Sequence, residues 1–462
     1  MARTHLLAIP TLLPVAFAAA FAQTVDPGKA VTAVRVDYAL TNVRIVVSPG
    51  RVIERGTVLT RDGRISAVGA TVAIPAGVTQ MDLSGHTVYA GLIDAATSIG
   101  LPSPSRAPST TPAPGAAPAG GRSGGGGGRG VPLGRGGVTT AAPVVLPEID
   151  AGAEAADMFA PTEDQLKAFR AGGITTVGLV FDGGLFPGRV GAALTGTRGG
   201  SPLALRAAVG QEVAFGARRG GYPGTGIGAV AYIRQSYLDA QYQSRLDKAF
   251  KAGTPGPRPS ADPFERALIP AATNEMSSWF VASTERQIVR VSEIAKELGL
   301  KGPVVVGAQE GWRVASNLKA IGATAVVSLQ WPSADSITGR PYLAVGSGKT
   351  GTAPPATAEE TKEVRANAAA LVKAGVPVAL ASFGGESGTT FRDRIRTTIE
   401  SGMSPDDALR AATVTAAAVL GISAAVGTLE VGKLANFVIV TGNDLFAATN
   451  PIKHVFIEGR IY

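Results

Sequence analysis

The chain has 462 residues, 45% hydrophobic and 17% charged, enough apolar material for one large core or two domains. It contains no cysteine, which excludes disulfides and a lipid-anchored cysteine. The formal charge is +8, but the basic excess is spread out, and no aromatic residues interleave with the loose set Arg106, Arg122, Arg129 and Arg135. That composition reads as a solvated surface rather than a nucleic-acid interface.

The first element in chain order reads as an export signal. In "MARTHLLAIPTLLPVAFAAAFAQT", Arg3 precedes an apolar run from Leu6 to Phe21, and Ala20-Phe21-Ala22 fits a small-x-small cleavage site. Residues 1–22 are therefore expected to leave, with the mature protein periplasmic or secreted and starting at Gln23. The run is short and broken by Pro10 and Pro14, which argues against a retained membrane anchor.

Strand patterns follow. "NVRIVV" (Asn42 to Val47) and "GTVLTRDGRISAVG" (Gly56 to Gly69) are rich in β-branched residues, and Asp62-Gly63 is a hairpin signal. The chain end, "GTLEVGKLANFVIVTG" and "IKHVFIEGRIY", has the same character. These two ends predict a small composite β-sandwich built from residues 30–88 and 425–462.

The middle, residues 89–424, alternates buried strands with helices. "ITTVGLV", "SWFVAS", "PVVVG", "TAVVSL" and "PVALAS" are short β-rich runs bounded by Gly or Pro. In "TERQIVRVSEIAKELGL", Ile288, Val291, Ala295 and Leu298 share one face, and Gly299 is placed to end the helix. "SPDDALRAATVTAAAVLG" predicts one helix, capped by Ser404 with Pro405 in the first turn and closed by Gly421. This alternation predicts an α/β fold, a (β/α)8 TIM-like barrel beside the sandwich. A Pro/Gly/Ser-rich insertion at 101–145 follows the strand Leu92 to Thr97, so it would lie on the barrel's carboxyl face.

"GTVLTRDGRISAVGATVAIPAGVTQMDLSGHTVYAGLIDAATS" resembles the entry region of the amidohydrolase superfamily, in particular its imidazolonepropionase-like members. "NAAALVKAGVPVALAS" resembles that family's last barrel strand, and "ALRAATVTAAAVLGISAAVGTLEVGKLANFVIV" with "VFIEGRIY" its closing helix and returning strands. The resemblance implies hydrolysis of carbon–nitrogen bonds other than peptide bonds by water on zinc or another divalent metal. It also implies a Pro-Gly-Leu-Ile-Asp-x-His-x-His line, where this chain has Ala90 for the proline, keeps Asp94, and puts Ala96 and Ser98 at the two histidines. No histidine stands at Val281 to Ser283 or at Val306, and the family's last-strand Ser-Asp is Ser382-Phe383. No lysine lies between Lys167 and Lys248, and Asn436 replaces an aspartate in "LANFVIV". The chain's three histidines are His5, in the signal, and His86 and His454, outside the expected barrel. A histidine-based zinc centre is therefore not expected, and neither is a bound metal or other cofactor.

Other candidates are weaker. Asp94, Asp182, Glu285 and Glu310 lie near predicted strand ends and offer an oxygen-only set for Mg²⁺ or Ca²⁺, although acidic residues also favour first helical turns, as for Glu285 and Glu310. Ser98 and Ser382 lack a histidine base and a G-x-S-x-G elbow. "GGLFPGRVGAALTG" reads as a compact turn, and Trp279 and Trp331 as core or pocket aromatics. The expectation is an exported, catalytically degenerate protein. It would bind an unidentified small molecule, pair with an intact relative or form a homo-oligomer. The alternative is a hydrolase of amide or cyclic-amide C–N bonds using Asp94, Asp182 and Glu285.

Overall fold

The computed structural model describes residues 36–102, 149–216, 222–331, 358–383 and 387–462. The stretch expected to be an export signal, the set Arg106, Arg122, Arg129 and Arg135, and nearly all of the 101–145 insertion lie outside the described residues. No helix among the described residues is long and apolar enough to cross a membrane.

The strands are β1 (Tyr38–Ser48), β2 (Arg51–Arg61), β3 (Arg64–Gly69), β4 (Thr79–Asp82), β5 (His86–Ala90), β6 (Leu92–Thr97), β7 (Ile174–Leu179) and β8 (Gly188–Arg198). They continue with β9 (Ser201–Ala214), β10 (Ser277–Ala282), β11 (Val304–Gly307), β12 (Thr324–Ser328), β13 (Val378–Ala381), β14 (Phe437–Thr441), β15 (Ile452–Ile457) and β16 (Arg460–Ile461). The helices are α1 (Glu163–Ala171), α2 (Gly226–Lys251), α3 (Pro263–Ala272), α4 (Glu285–Leu298), α5 (Ala315–Ala320), α6 (Ala358–Lys373), α7 (Gly388–Glu400), α8 (Pro405–Ala411) and α9 (Val414–Val419).

Both chain ends build one sheet in the order β16-β15-β14-β5-β1-β2-β3, with β4 also on β1. The β2–β3 hairpin turns at Asp62 and Gly63, whose φ values of 51° and 77° suit a two-residue primed turn. β1 pairs β4 along its first half and β5 along its second, with irregular register against β2 between. The sheet thereby folds over a core of Leu40, Val43, Ile45, Val58, Phe437 and Phe456, giving the expected sandwich. The rings of Phe437 and Phe456 stack at 4.5 Å.

The second sheet runs β13-β12-β11-β10-β9-β8-β7-β6. The Phe383 N–H donates to the Ala96 carbonyl at 3.0 Å and draws β13 against β6, so the sheet nearly closes into a barrel. One side is regular: β9 through β13 are all parallel. Alternation there sends Val304, Val306, Val326, Ala379 and Ala381 into the interior cluster, and Val305, Ala325, Val327 and Leu380 into the outer core shared with the helices. The fold is TIM-like, with one departure from an all-parallel barrel. β8 is antiparallel to both β7 and β9. No helix separates β7, β8 and β9, because antiparallel neighbours need only short connections.

Two local expectations change. "GGLFPGRVGAALTG" is not a compact turn: its second half, from Gly188, is strand β8. Its glycines allow close packing, since a Cβ on Gly191 would sit 3.0 Å from Ala156. The helix expected from Ser404 to Gly421 breaks into α8 and α9, with Thr413 at φ −137° and ψ −76°. The break has a tertiary cause. It frees the Ala412 carbonyl to accept the Ile93 N–H of β6 at 2.8 Å, and it turns α9 so that Ala416, Ala417 and Leu420 join the barrel's interior cluster. Ser404 caps α8 as expected, its hydroxyl accepting the Asp407 N–H at 3.1 Å.

Candidate active-site region at the carboxyl ends of the barrel strands

The carboxyl ends of the strands present Asp94, Ala96 and Ser98 from β6, Phe181 and Asp182 after β7, Glu212 from β9, Ser283 after β10, Val306 from β11, and Ser382 and Phe383 after β13. Ala96 and Phe383 are buried in the same apolar cluster as Val306 and Trp279. Phe383 holds a left-handed φ of 43°. Ser98 is half-buried, as is Val281, while Ser283 is buried.

Asp94 is fully buried and spans the seam between β6 and β13. One carboxylate oxygen accepts the Ser382 N–H at 2.9 Å and the Ala96 N–H at 3.3 Å; the other accepts the Ser382 hydroxyl. Simple alternation would set residues 94, 96 and 98 on one face. The β6–β7 register instead slips between Asp94 and Thr97, and both Ala95 and Ala96 enter the interior cluster. Asp94 thus joins two strands.

The remaining candidates are apart from it. Asp182 and Glu285 are exposed. Glu285 occupies the first turn of α4, and its N–H donates to the half-buried Glu310 carboxylate at 2.8 Å. Both acids therefore serve a helix amino terminus, where negative charge is stabilising. Among the described residues, no three His, Cys, Asp or Glu side chains group so as to hold a metal ion. The residues at the family's ligand positions do not fit a divalent metal: a methyl group and a phenyl ring pack there against valines, and neither donates a lone pair.

His86 and His454 lie in the composite sheet, on β5 and β15, both half-buried. Burial and the neighbouring Lys453 hold the His454 imidazole below its usual range. Trp279 is fully buried, and its indole N–H donates to the Ser277 hydroxyl at 3.0 Å. Trp331 is half-buried after β12, with the Arg365 and Arg394 guanidinium groups 5.6 and 5.7 Å from its ring.

One further carboxyl lies outside the family's ligand positions. Glu212 is fully buried near the end of β9. One of its oxygens accepts the Phe181 N–H at 2.8 Å, and the other has no hydrogen-bond partner among the described residues. Burial, reinforced by the nearby Asp182 charge, pushes its carboxyl up to about 8 against the pull of the Phe181 N–H, so it is protonated at neutral pH. Adjacent Gln211 is also fully buried, with its amide donating to the Gly188 carbonyl at 2.9 Å and its own oxygen unpartnered among the described residues. The signal that locates this strand is Gly199-Gly200, at φ 60° and 81°, a two-residue hairpin loop between β8 and β9. Glu212 lies on the strand that this loop introduces.

A nearly closed barrel with a composite sheet from both chain ends is the architecture of an amidohydrolase-type fold. The Amidohydrolase family model matches residues 287–462. An amidohydrolase from Thermotoga maritima MSB8 shares the fold at a TM-score of 0.70 and 20% identity, over 92% of this chain and 99% of that one. A Xaa-Pro dipeptidase, solved with methionine in its active site, aligns at a TM-score of 0.51 and 15% identity, over 92% and 99% of the two chains. No curated protein matches the sequence. The chain is amidohydrolase-like in fold, and its carboxyl-terminal part carries the family's sequence pattern.

Proposed function

We propose that this is an exported, non-catalytic member of the amidohydrolase fold that works by binding, either of a small molecule or of an intact relative. The observation that carries the reading is the content of the mouth. Ala96, Val306 and Phe383 form one apolar cluster where the family places its metal ligands, and Asp94 is engaged with Ser382. A fold does not bring its chemistry with it when the site residues have changed.

The test is metal content and amide hydrolysis, both measured on mature protein from the exported fraction purified without chelators. The reading expects below about a tenth of an equivalent of any divalent metal and no hydrolysis of amide or cyclic-amide substrates. One equivalent of metal with turnover would sink it. Co-elution with an exported, histidine-complete relative at micromolar concentration would support the pairing version, and its absence would leave small-molecule binding.

A second reading is favoured by Glu212. A buried carboxyl that stays protonated at neutral pH has the property of a general acid for C–N cleavage. Hydrolysis that survives in the wild type and is lost in Glu212→Gln, with folding retained, would establish it over the first reading.

A further inference from the structure

The opposite end of the barrel carries a cavity of about 360 Å³, lined by Arg206, Glu275, Ser277, Val209, Val304 and Val419, among others. It lies where β10, β11 and β12 begin, with α9 along one side, so it is separate from the mouth. Its volume is near the lower end of the range for small-molecule sites, roughly 300–1,000 Å³.

Its two charges are of opposite sign and are not spent on each other. Arg206 is held by its own segment and by the end of α9: Nε donates to the Ala208 carbonyl at 3.2 Å and Nη1 to the Gly421 carbonyl at 3.0 Å. Nη2 makes no hydrogen bond among the described residues. The Glu275 carboxylate has neither a hydrogen bond nor an ion pair among them. Both side chains are exposed at the rim of the cavity. A lone anion would be drawn to Arg206 and repelled by Glu275; a lone cation would meet the reverse. A ligand carrying both charges meets both groups favourably. Val209, Val304 and Val419 add apolar lining. Ser277, which accepts the Trp279 indole N–H, retains a hydroxyl proton to donate.

We propose that this cavity binds a small zwitterion of amino-acid size, its carboxylate on Arg206 and its ammonium group on Glu275. The inference goes beyond the function proposed above, because it requires nothing of the mouth.

The experiment is calorimetric titration of the full mature chain with glycine, L-leucine and L-phenylalanine, then with the N-acetyl and amide forms of whichever binds. Saturable binding is expected from at least one free amino acid, with about tenfold loss for either blocked form. Glu275 is exposed, so Glu275→Gln is expected to leave the fold intact and to remove the preference for the free over the N-acetyl form. Arg206→Gln removes the preference over the amide. No saturable binding below about 10 mM by any of the three, equal binding of blocked and free forms, or unchanged selectivity in Glu275→Gln would overturn the proposal. Because binding rather than hydrolysis is read, loss of this site and an active mouth are distinct outcomes.

Discussion

The two sides of the barrel wall follow different rules. From β10 to β13 the strands are short, parallel and separated by helices, and every interior position named above is apolar. From β7 to β9 the chain doubles back without a helix, and that side buries Gln211 and Glu212, each with an oxygen unpartnered among the described residues. Parallel strands need long crossovers, which cover them with helices and leave their interiors to hydrocarbon packing. A hairpin built into the wall has no such cover of its own, and here it coincides with the polar groups. The lesson is that the buried polar groups of this wall collect where it departs from regularity, at the β7–β9 turn-back, rather than along the parallel strands.

The largest expected effect tests the seam between the two sides. Asp94→Ala removes the acceptor of two N–H groups and a hydroxyl in a fully buried setting, and should cost about 3–5 kcal/mol in urea unfolding. A loss below about 1 kcal/mol would mean that β6 and β13 close without it.

The next sharpens the contrast through pH. The Glu212 carboxyl is raised from 4.5 to about 8 in the folded chain, so between those values the folded state holds a proton that the unfolded state has released. Stability from this group is complete below pH 4.5 and falls as pH rises toward 8, by at most about 1.4 kcal/mol per pH unit. Glu212→Gln should flatten that slope and raise the melting temperature at pH 8. An unchanged slope would remove Glu212 as its source.

Two smaller effects belong to the regular side. Thr284→Ala removes the hydroxyl half of the α4 capping box and should cost about 1 kcal/mol. Arg313→Ala breaks an exposed ion pair with Glu363 at 3.3 Å and should change stability by less than about 0.5 kcal/mol. A reversed order of these two, read by the same denaturation, would mean that α4 is held by packing alone.

Much of the fold was legible because periodicity and punctuation are local. The β2–β3 turn at Asp62-Gly63, the Ser404 cap, the Gly299 stop of α4 and the five apolar strand runs each declare themselves within a few residues. The β8–β9 hairpin was missed because glycines in "GGLFPGRVGAALTG" weaken strand character, and because Gly199-Gly200 lies outside that stretch. The break between α8 and α9 was invisible for a different reason: only the Ile93 N–H, over three hundred residues earlier in the chain, asks for the Ala412 carbonyl.

The candidate site divides in the same way. Residue identity along the chain is enough to show which side chains are missing: no imidazole stands at Ala96, Ser98, Val306 or Phe383. What the remaining carboxylates do follows from long-range packing. Asp94 became a seam residue when closure brought Ser382 to it, Glu285 and Glu310 met at a helix end, and Glu212 was raised by burial between strands. The physical reason is that a carboxylate's role depends on its desolvation and on the donors and charges around it, and these come from segments far apart in the chain.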